Sequence, residues 1–177
     1  EGLNVEAAAE IKKHLHIPVG VVGAITDPYA MEAWIKEGLV DYVVLARALI
    51  ADPDLPKKAM HGRVDEIRPC LRCLACLTGG YYNLPIHCSV NPQIGRDSDY
   101  KFQPLPTRKK RVLIAGGGPA GMEAAVTAAQ RGHDVILCEK NGQLGGLLNL
   151  VEKESFKKRI GVYKRYLERM VGRSKVD

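Results

Sequence analysis

Residues 111 to 139 constrain the fold more tightly than any other part of the chain. Arg111 to Ala115, RVLIA, is a short apolar run of the kind found in buried strands, and GGGPAGMEAAVTAAQRG follows it at once. A second apolar run, DVILCE, then ends in Glu139. The Ala-rich stretch behind the glycines predicts a helix. Strand, tight turn, helix and strand at this spacing predict a βαβ unit with parallel strands. Cys138, inside VILC, is expected to be a buried strand residue.

The turn also carries chemistry. Gly116, Gly118 and Gly121 stand in G-x-G-x-x-G register between strand and helix, and Glu139 lies eighteen residues beyond Gly121. The first glycine permits the tight turn, the second lets a pyrophosphate touch the backbone, and the third lets helix and strand pack closely. The helix N-terminus then faces the phosphates. Glu139 is placed to accept the hydroxyls of an adenosine ribose, and its charge would repel a 2′-phosphate. The pattern implies a bound ADP moiety, with the Gly145-Gly146 pair in a loop close to the same ligand. Beyond it, residues 152–171 space Phe156, Ile160, Tyr163, Leu167 and Met170 at helical intervals, which predicts an amphipathic helix with its aromatics in the core.

The second constraining stretch is PCLRCLACLTGGYYNLPIHCSVNP, Pro69 to Pro92, which holds four of the five cysteines. Cys70, Cys73, Cys76 and Cys88 follow C-x2-C-x2-C-x11-C, and three thiols within seven residues are hard to explain by packing. A close triplet plus one remote cysteine suits a [4Fe–4S] cubane, whose corners take separate thiolates. Structural zinc prefers two separated pairs of ligands, and here the second half offers Cys88 with His87 beside it. Both metals remain open on the residues alone. Disulfides are disfavoured, because nothing in the chain looks secretory.

Upstream, Val5 to His14 predicts a helix, and Ile17 to Ile25, IPVGVVGAI, a strand buried on both faces. Asp27-Pro28 caps a helix that runs to Gly38, Asp41 to Arg47 predicts a second buried strand, and Asp52-Pro53 opens another helix toward Met60 and Gly62. Such alternation implies a parallel α/β sheet or barrel. Two strands cannot close a barrel, so this part is expected to be the tail of something larger. The chain opens on Glu1 with no initiator Met and ends at Asp177 on the approach to another strand, so both ends read as cut. Gly23 and Ala46-Arg47 follow the two strands, where a βα barrel places loops that bind phosphate. Arg47 would supply the cation; an ion pair with Asp41 or Asp52 is the competing account. Tyr100 to Thr107, with two prolines and no periodicity, reads as an extended linker.

The net charge of +6 raises the question of nucleic acid, but the basic runs, Arg108 to Arg111 and Lys157 to Arg159, are short and read as solvated surface. No apolar run approaches the roughly 20 residues of a membrane span, and no signal-peptide pattern opens the chain, so a cytoplasmic protein is expected.

Taken in order, the segments resemble the iron–sulfur flavoenzymes of the old-yellow-enzyme class, the NADH:flavin oxidoreductases that include 2,4-dienoyl-CoA reductase, clostridial enoate reductases, bile-acid-oxidising relatives and trimethylamine dehydrogenase. VVGAITDPYAMEAWIKEGLVDYVVLARALIADPDLPKKA is similar to their last two βα barrel units, PCLRCLACL…CSVNP to their cluster segment, and VLIAGGGPAGMEAA…EKNGQLGG to the start of their FAD or ADP domain. The resemblance implies an α/β chain in three parts. Residues 1–66 would be the last two βα units of an incomplete, FMN-binding TIM barrel, 67–107 the cluster segment and linker, and 108–177 the first βαβ part of a Rossmann-like FAD/ADP domain.

It also implies cofactors and roles. Gly23, Ala46 and Arg47 would hold the FMN phosphate, Cys70, Cys73, Cys76 and Cys88 would ligate the [4Fe–4S] cluster, and Gly116, Gly118, Gly121 and Glu139, with Gly145 and Gly146 alongside, would hold the ADP part of FAD. Electrons would pass from NAD(P)H through FAD and the cluster to FMN and an activated C=C bond of a small unsaturated substrate. An amine-dehydrogenase-like alternative runs electrons outward from FMN through the cluster to an electron-transfer flavoprotein, with only ADP in the C-terminal domain. A third reading is a non-catalytic electron-transfer and nucleotide-binding fragment. The proton donor and substrate residues of the reductases have no counterpart here, so no catalytic residue is assigned and the chain alone is expected to be inactive. A homo-oligomer is compatible with all three readings; nucleic acid and membrane partners are not expected.

Overall fold

The computed structural model describes residues 1–101 and 103–177; the side chains of Asp97 and Lys101 also lie outside the description. The chain is mixed α/β and divides into two compact units, Glu1–Ile94 and Gly95–Asp177.

In the first unit, helix α1 (Val5–Lys12) leads to strand β1 (Gly20–Val21), helix α2 (Pro28–Lys36) and strand β2 (Tyr42–Val43). Asp27 caps α2 as expected, its carboxylate accepting from the Tyr29 N–H at 3.0 Å, with Pro28 in the first turn. The strands pair in parallel, Gly20 opposite Tyr42 and Val21 opposite Val43. Val5, Ala8, Val21, Ile25 and Val40 form the core, with Met31 and Trp34 of α2 packed on it. Asp41 ties α1 to this layer through Lys12 at 2.8 Å and the Val19 N–H at 2.7 Å.

Two expectations are corrected here. The strands are two residues each rather than the nine-residue and seven-residue apolar runs, and Ile17, Val22, Tyr42 and Val44 are exposed. Burial on both faces of a parallel strand needs layers on both sides, and this sheet has two strands and one packed face. Arg47, expected at the end of a strand, instead begins helix α3 (Arg47–Ala51). Asp52 closes α3, and helix α4 (Leu55–Met60) starts two residues later than the Asp52-Pro53 signal, with Asp54 before it.

Past a 3₁₀ turn at Val64–Glu66, the cysteine segment contains one helix, α5 (Ala75–Tyr81). Its two ends are fastened to α3 and α4. Asp52, 4% exposed, accepts from Lys58 Nζ at 2.6 Å and from the Arg68 N–H at 2.8 Å. The Arg68 guanidinium donates to the Val90 carbonyl, and Asn91 Nδ2 donates to the Ile50 carbonyl at 2.8 Å. A buried carboxylate survives only when paired and hydrogen-bonded, as Asp52 is.

The second unit opens on helix α6 (Asp97–Lys101), so the linker expected over 100–107 is helical for its first two residues, and Phe102 lies outside the described residues. Strand β3 (Arg111–Ala115), helix α7 (Pro119–Gln130) and strand β4 (Asp134–Cys138) form the predicted βαβ unit, with five parallel pairs from Arg111–Asp134 to Ala115–Cys138. Val176 bridges in parallel to Val135, and the Asp177 N–H donates to the Val135 carbonyl at 2.9 Å, so the last residues do run on to the sheet as a further edge.

After a short helix α8 (Leu148–Val151), the helix predicted over 152–171 is a 3₁₀ turn at Ser155–Lys157 followed by helix α9 (Lys158–Arg173). Tyr163, Tyr166, Leu167 and Val171 of α9 pack with Met122, Ala125 and Val126 of α7 in the buried set. Phe156 departs from the expected core stripe and is 78% exposed, because the chain bends before α9 begins. Cys138 is exposed rather than buried, as are Leu113 and Ile136; the three alternate with Val112, Val135 and Leu137, which lie on the face of the sheet that α7 covers. No described helix is long and apolar enough to cross a membrane.

Candidate functional site

The loops after β1 and β2 line a pocket of about 90 Å³ in the first unit. Gly23, Ala46 and Arg47 are all on its wall, and so are Cys70 and Arg72 from the cysteine segment. Gly23 has φ +145°, and a Cβ there would sit 2.9 Å from Asn4 Nδ2, which itself donates to the Val22 carbonyl at 2.6 Å. Glycine is the residue that fits both restrictions. Arg47 is half-buried, and its side chain enters none of the hydrogen bonds or ion pairs among the described residues. Asp41 and Asp52, the two carboxylates that could have neutralised it, bind Lys12 and Lys58. The ion-pair account of Arg47 therefore fails, and a guanidinium with its donors unused faces a pocket.

Arg72 supplies a second guanidinium that sequence reasoning missed. It lies between Cys70 and Cys73 and reaches back to the β1 loop, where Nη2 donates to the Ala24 carbonyl and to Glu1 Oε1, both at 2.5 Å. Burial alone would raise the Glu1 carboxyl, but hydrogen bonds from the Thr26 hydroxyl and N–H, with the Arg72 charge, hold it below its ordinary value. No spacing rule links residues 1, 24, 26 and 72; only tertiary structure brings them together.

None of the four cysteines of the segment is in a disulfide. Arg72 and Leu74, on either side of Cys73, have φ +56° and +62°, left-handed positions that turn the chain sharply twice within the triplet. Cys76 is buried in α5, and burial pushes its thiol up, with the nearby Cys70, Cys88 and Cys73 pushing the same way. The arm that carries Cys88 returns to the triplet at the next residue, Ser89, whose hydroxyl lies 3.3 Å from the Cys73 thiol. Burial would raise Cys73, but hydrogen bonding to Ser89 and the Ala75 N–H holds it below the ordinary thiol value. The Arg72 N–H donates to Cys70 Sγ at 3.4 Å.

Among the described residues no three His, Cys, Asp or Glu side chains converge tightly enough to hold one metal ion. A cubane asks for something different, four thiolates on four separate iron corners with N–H groups directed at sulfur. Four thiols in one segment and outside any disulfide, Cys70 accepting from the Arg72 N–H and Cys73 from the Ala75 N–H, fit that demand.

In the second unit the glycine turn has the geometry its sequence predicts. Gly116 has φ +104°, and Gly118 is the residue before α7. A Cβ on Gly121 would meet the Gly116 carbonyl oxygen at 1.9 Å, so helix and strand approach as closely as their backbones allow. The Gly145 N–H donates to the Gly117 carbonyl at 2.8 Å, and a Cβ on Gly146 would lie 3.1 Å from Gly118 Cα, so the second glycine pair runs against the first. A recess of about 680 Å³ beside it is lined by Asn141, Gly146, Asn149 and Lys153.

Glu139 already has work in this loop. Its carboxylate accepts from the Asn141 N–H at 2.9 Å and the Gly117 N–H at 2.7 Å, and these bonds hold its pKa below the ordinary value. The Asn141 side-chain amide donates to the same carboxylate at 3.0 Å, so Glu139, ionised and fastened at the turn, keeps about one lone-pair position for a further donor.

Residues 3–66 match the NADH:flavin oxidoreductase / NADH oxidase family, and residues 111–156 match a family described as FAD dependent oxidoreductase. An NADH oxidase from Thermoanaerobacter brockii is 45% identical over 179 residues, covering 100% of this chain and 28% of the relative. A cinnamate reductase from Clostridium sporogenes is 42% identical over 147 residues, covering 82% of this chain and 22% of the relative. The solved structure of 6-hydroxypseudooxynicotine amine oxidase from Pseudomonas geniculata N1 matches with a TM-score of 0.91 at 33% identity, over 100% of this chain and 27% of that one. The chain thus spans between 22% and 28% of the length of these relatives.

Proposed function

We propose that the chain, whose residues 3–66 match the NADH:flavin oxidoreductase / NADH oxidase family, is a segment of an NAD(P)H-dependent ene-reductase. In this reading residues 1–66 are the end of an FMN barrel, 67–107 the cluster segment and linker, and 108–177 the start of a Rossmann-like FAD domain. FAD, a [4Fe–4S] cluster and FMN would supply the electron relay between NAD(P)H and an activated C=C bond, since flavins exchange one or two electrons and iron–sulfur centres one.

The observation that carries the reading is the shared wall of the first pocket. Gly23, Ala46 and Arg47, the residues assigned to the FMN phosphate, line the same pocket as Cys70, the first of the four assigned cluster ligands. A flavin anchored there by its phosphate would have the cluster segment as part of the wall of its own site. The residues' own tasks follow from their chemistry. Arg47 offers an unpaired fork of N–H donors to a phosphate, Gly23 leaves the backbone open to it, and Ala46 lets it approach the start of α3. Cys70, Cys73, Cys76 and Cys88 would ligate iron as thiolates. Gly116, Gly118 and Gly121 would open the turn to a pyrophosphate, with Gly145 and Gly146 behind it, while Glu139 would orient the adenosine ribose.

The test is anaerobic oxidation of NADH or NADPH by the full-length polypeptide with unsaturated acids and thioesters such as cinnamate. Alkene-dependent oxidation with a saturated product is expected. The likeness to an amine oxidase structure favours one second reading, an amine dehydrogenase passing electrons to an electron-transfer flavoprotein. Amine-dependent reduction of the protein, no alkene turnover and ADP in place of extractable FAD would replace the first reading with the second.

A further inference from the structure

We propose that Arg72 is a second phosphate ligand of the flavin pocket, delivered by the cysteine segment itself, so that the flavin site and the cluster loop are built from one another. The inference rests on the reading of this pocket as the FMN site.

Three observations carry it. Arg72 lines the pocket together with Arg47, so two guanidinium groups face one space of about 90 Å³. Arg72 spends a single nitrogen on the protein, Nη2, which donates to Glu1 and to the Ala24 carbonyl. Its Nε is buried with no hydrogen-bond partner, and Nη1 has none among the described residues. A buried guanidinium N–H left unpaired is costly, and the cost is removed when a neighbouring acceptor draws the group round. Finally, Arg72 holds φ +56°, a conformation unfavourable for a residue with a Cβ, on the tight turn between two of the assigned cluster ligands. A turn alone would be served better by glycine. An arginine there puts a cation where the loop passes the pocket.

The ligand class follows from the charges. Glu1 is the one carboxylate bonded to either guanidinium among the described contacts, and it is shared with Thr26. Two planar forks with unused donors and one shared carboxylate favour a dianionic tetrahedral oxyanion over a monoanion or a neutral ring, because a phosphate monoester accepts from both forks at once. FMN carries such a group; riboflavin has the same ring system without it.

That difference makes the test. In full-length protein stripped of FMN with its cluster retained, FMN and riboflavin are titrated separately by flavin fluorescence into wild type, Arg72→Met and Arg72→Lys. Iron and acid-labile sulfide are measured on each. The expected result is that Arg72→Met weakens FMN about ten- to hundredfold, leaves riboflavin within about twofold, and keeps the iron and sulfide of wild type. Arg72→Lys, retaining the charge without the fork, should recover part of the FMN affinity. Equal losses for FMN and riboflavin, unchanged FMN affinity, or loss of iron and sulfide in both variants would each overturn the assignment. Wild-type protein that binds riboflavin as tightly as FMN would overturn the reading of the pocket as a phosphate site, a failure separate from that of Arg72.

Discussion

The two units build their candidate sites by opposite means. In the second, the site is backbone: glycines at 116, 118, 121, 145 and 146 bring two turns against each other, and Glu139 fastens one turn by hydrogen bonds to N–H groups two and twenty-two residues away. In the first, the site is assembled from side chains distant in sequence, with Arg47, Cys70 and Arg72 meeting around one pocket, Glu1 bonded to Arg72 behind it, and Asp52, Arg68 and Asn91 fastening the loop that supplies Cys70 and Arg72. A site made of backbone tolerates changes of side chain but not of shape; a site made of side chains should show the reverse. That contrast can be broken or sharpened by substitution.

The largest effect is expected at Cys73. Cys73→Ser should abolish cluster assembly, seen as loss of iron, acid-labile sulfide and visible absorption, and a variant that kept all three would remove Cys73 from the ligand set. Asp52→Ala comes next, because it removes the acceptor of the Arg68 N–H and leaves the partly buried Lys58 ammonium with the Glu66 carbonyl alone. A loss of about 3 kcal/mol in unfolding free energy is expected by denaturant titration. A loss below about 0.5 kcal/mol would mean that the cysteine segment is held in place by something else.

Gly121→Ala should cost the second unit about 1–3 kcal/mol, since the new methyl would meet the Gly116 carbonyl oxygen. Thermal unfolding and FAD content read this together, and a variant with normal melting and full FAD would contradict the account of a backbone-built site. The smallest effect is assigned to Glu139→Gln, which keeps one of the two acceptors of the turn and removes the charge. About a tenfold loss of ADP affinity is expected by calorimetry, with a loss of about 1 kcal/mol in stability from the turn N–H left facing the new amide. Unchanged affinity would leave Glu139 as a loop fastener alone.

The same contrast explains what could be read from the chain beforehand. The βαβ unit, its glycine turn and the Asp27-Pro28 cap are local, each specified by residues a few positions apart, and they appear where the sequence puts them. The four cysteines were legible as a group because three are close in sequence. Arg72 was not, since an arginine between cysteines carries no signal until the β1 loop is placed against it. Asp52 was legible as a helix signal, but its burial and its bond to Arg68 depend on a segment sixteen residues on. The long apolar runs were read as strands buried on both faces, and that inference failed at Ile17, Val22 and Cys138 because apolar pattern reports the capacity for burial, while burial needs a second packed layer. Phe156 failed for a related reason: periodicity continued across a bend that the hydrophobic pattern does not register.

The most direct test of the central claim, that the first unit joins a flavin pocket to an iron–sulfur cluster, is the measured content of iron, acid-labile sulfide and flavin in the full-length polypeptide purified without oxygen. The account predicts iron and sulfide in equal amounts, about four of each per chain, together with FMN. Zinc in place of iron, with no sulfide, would contradict it.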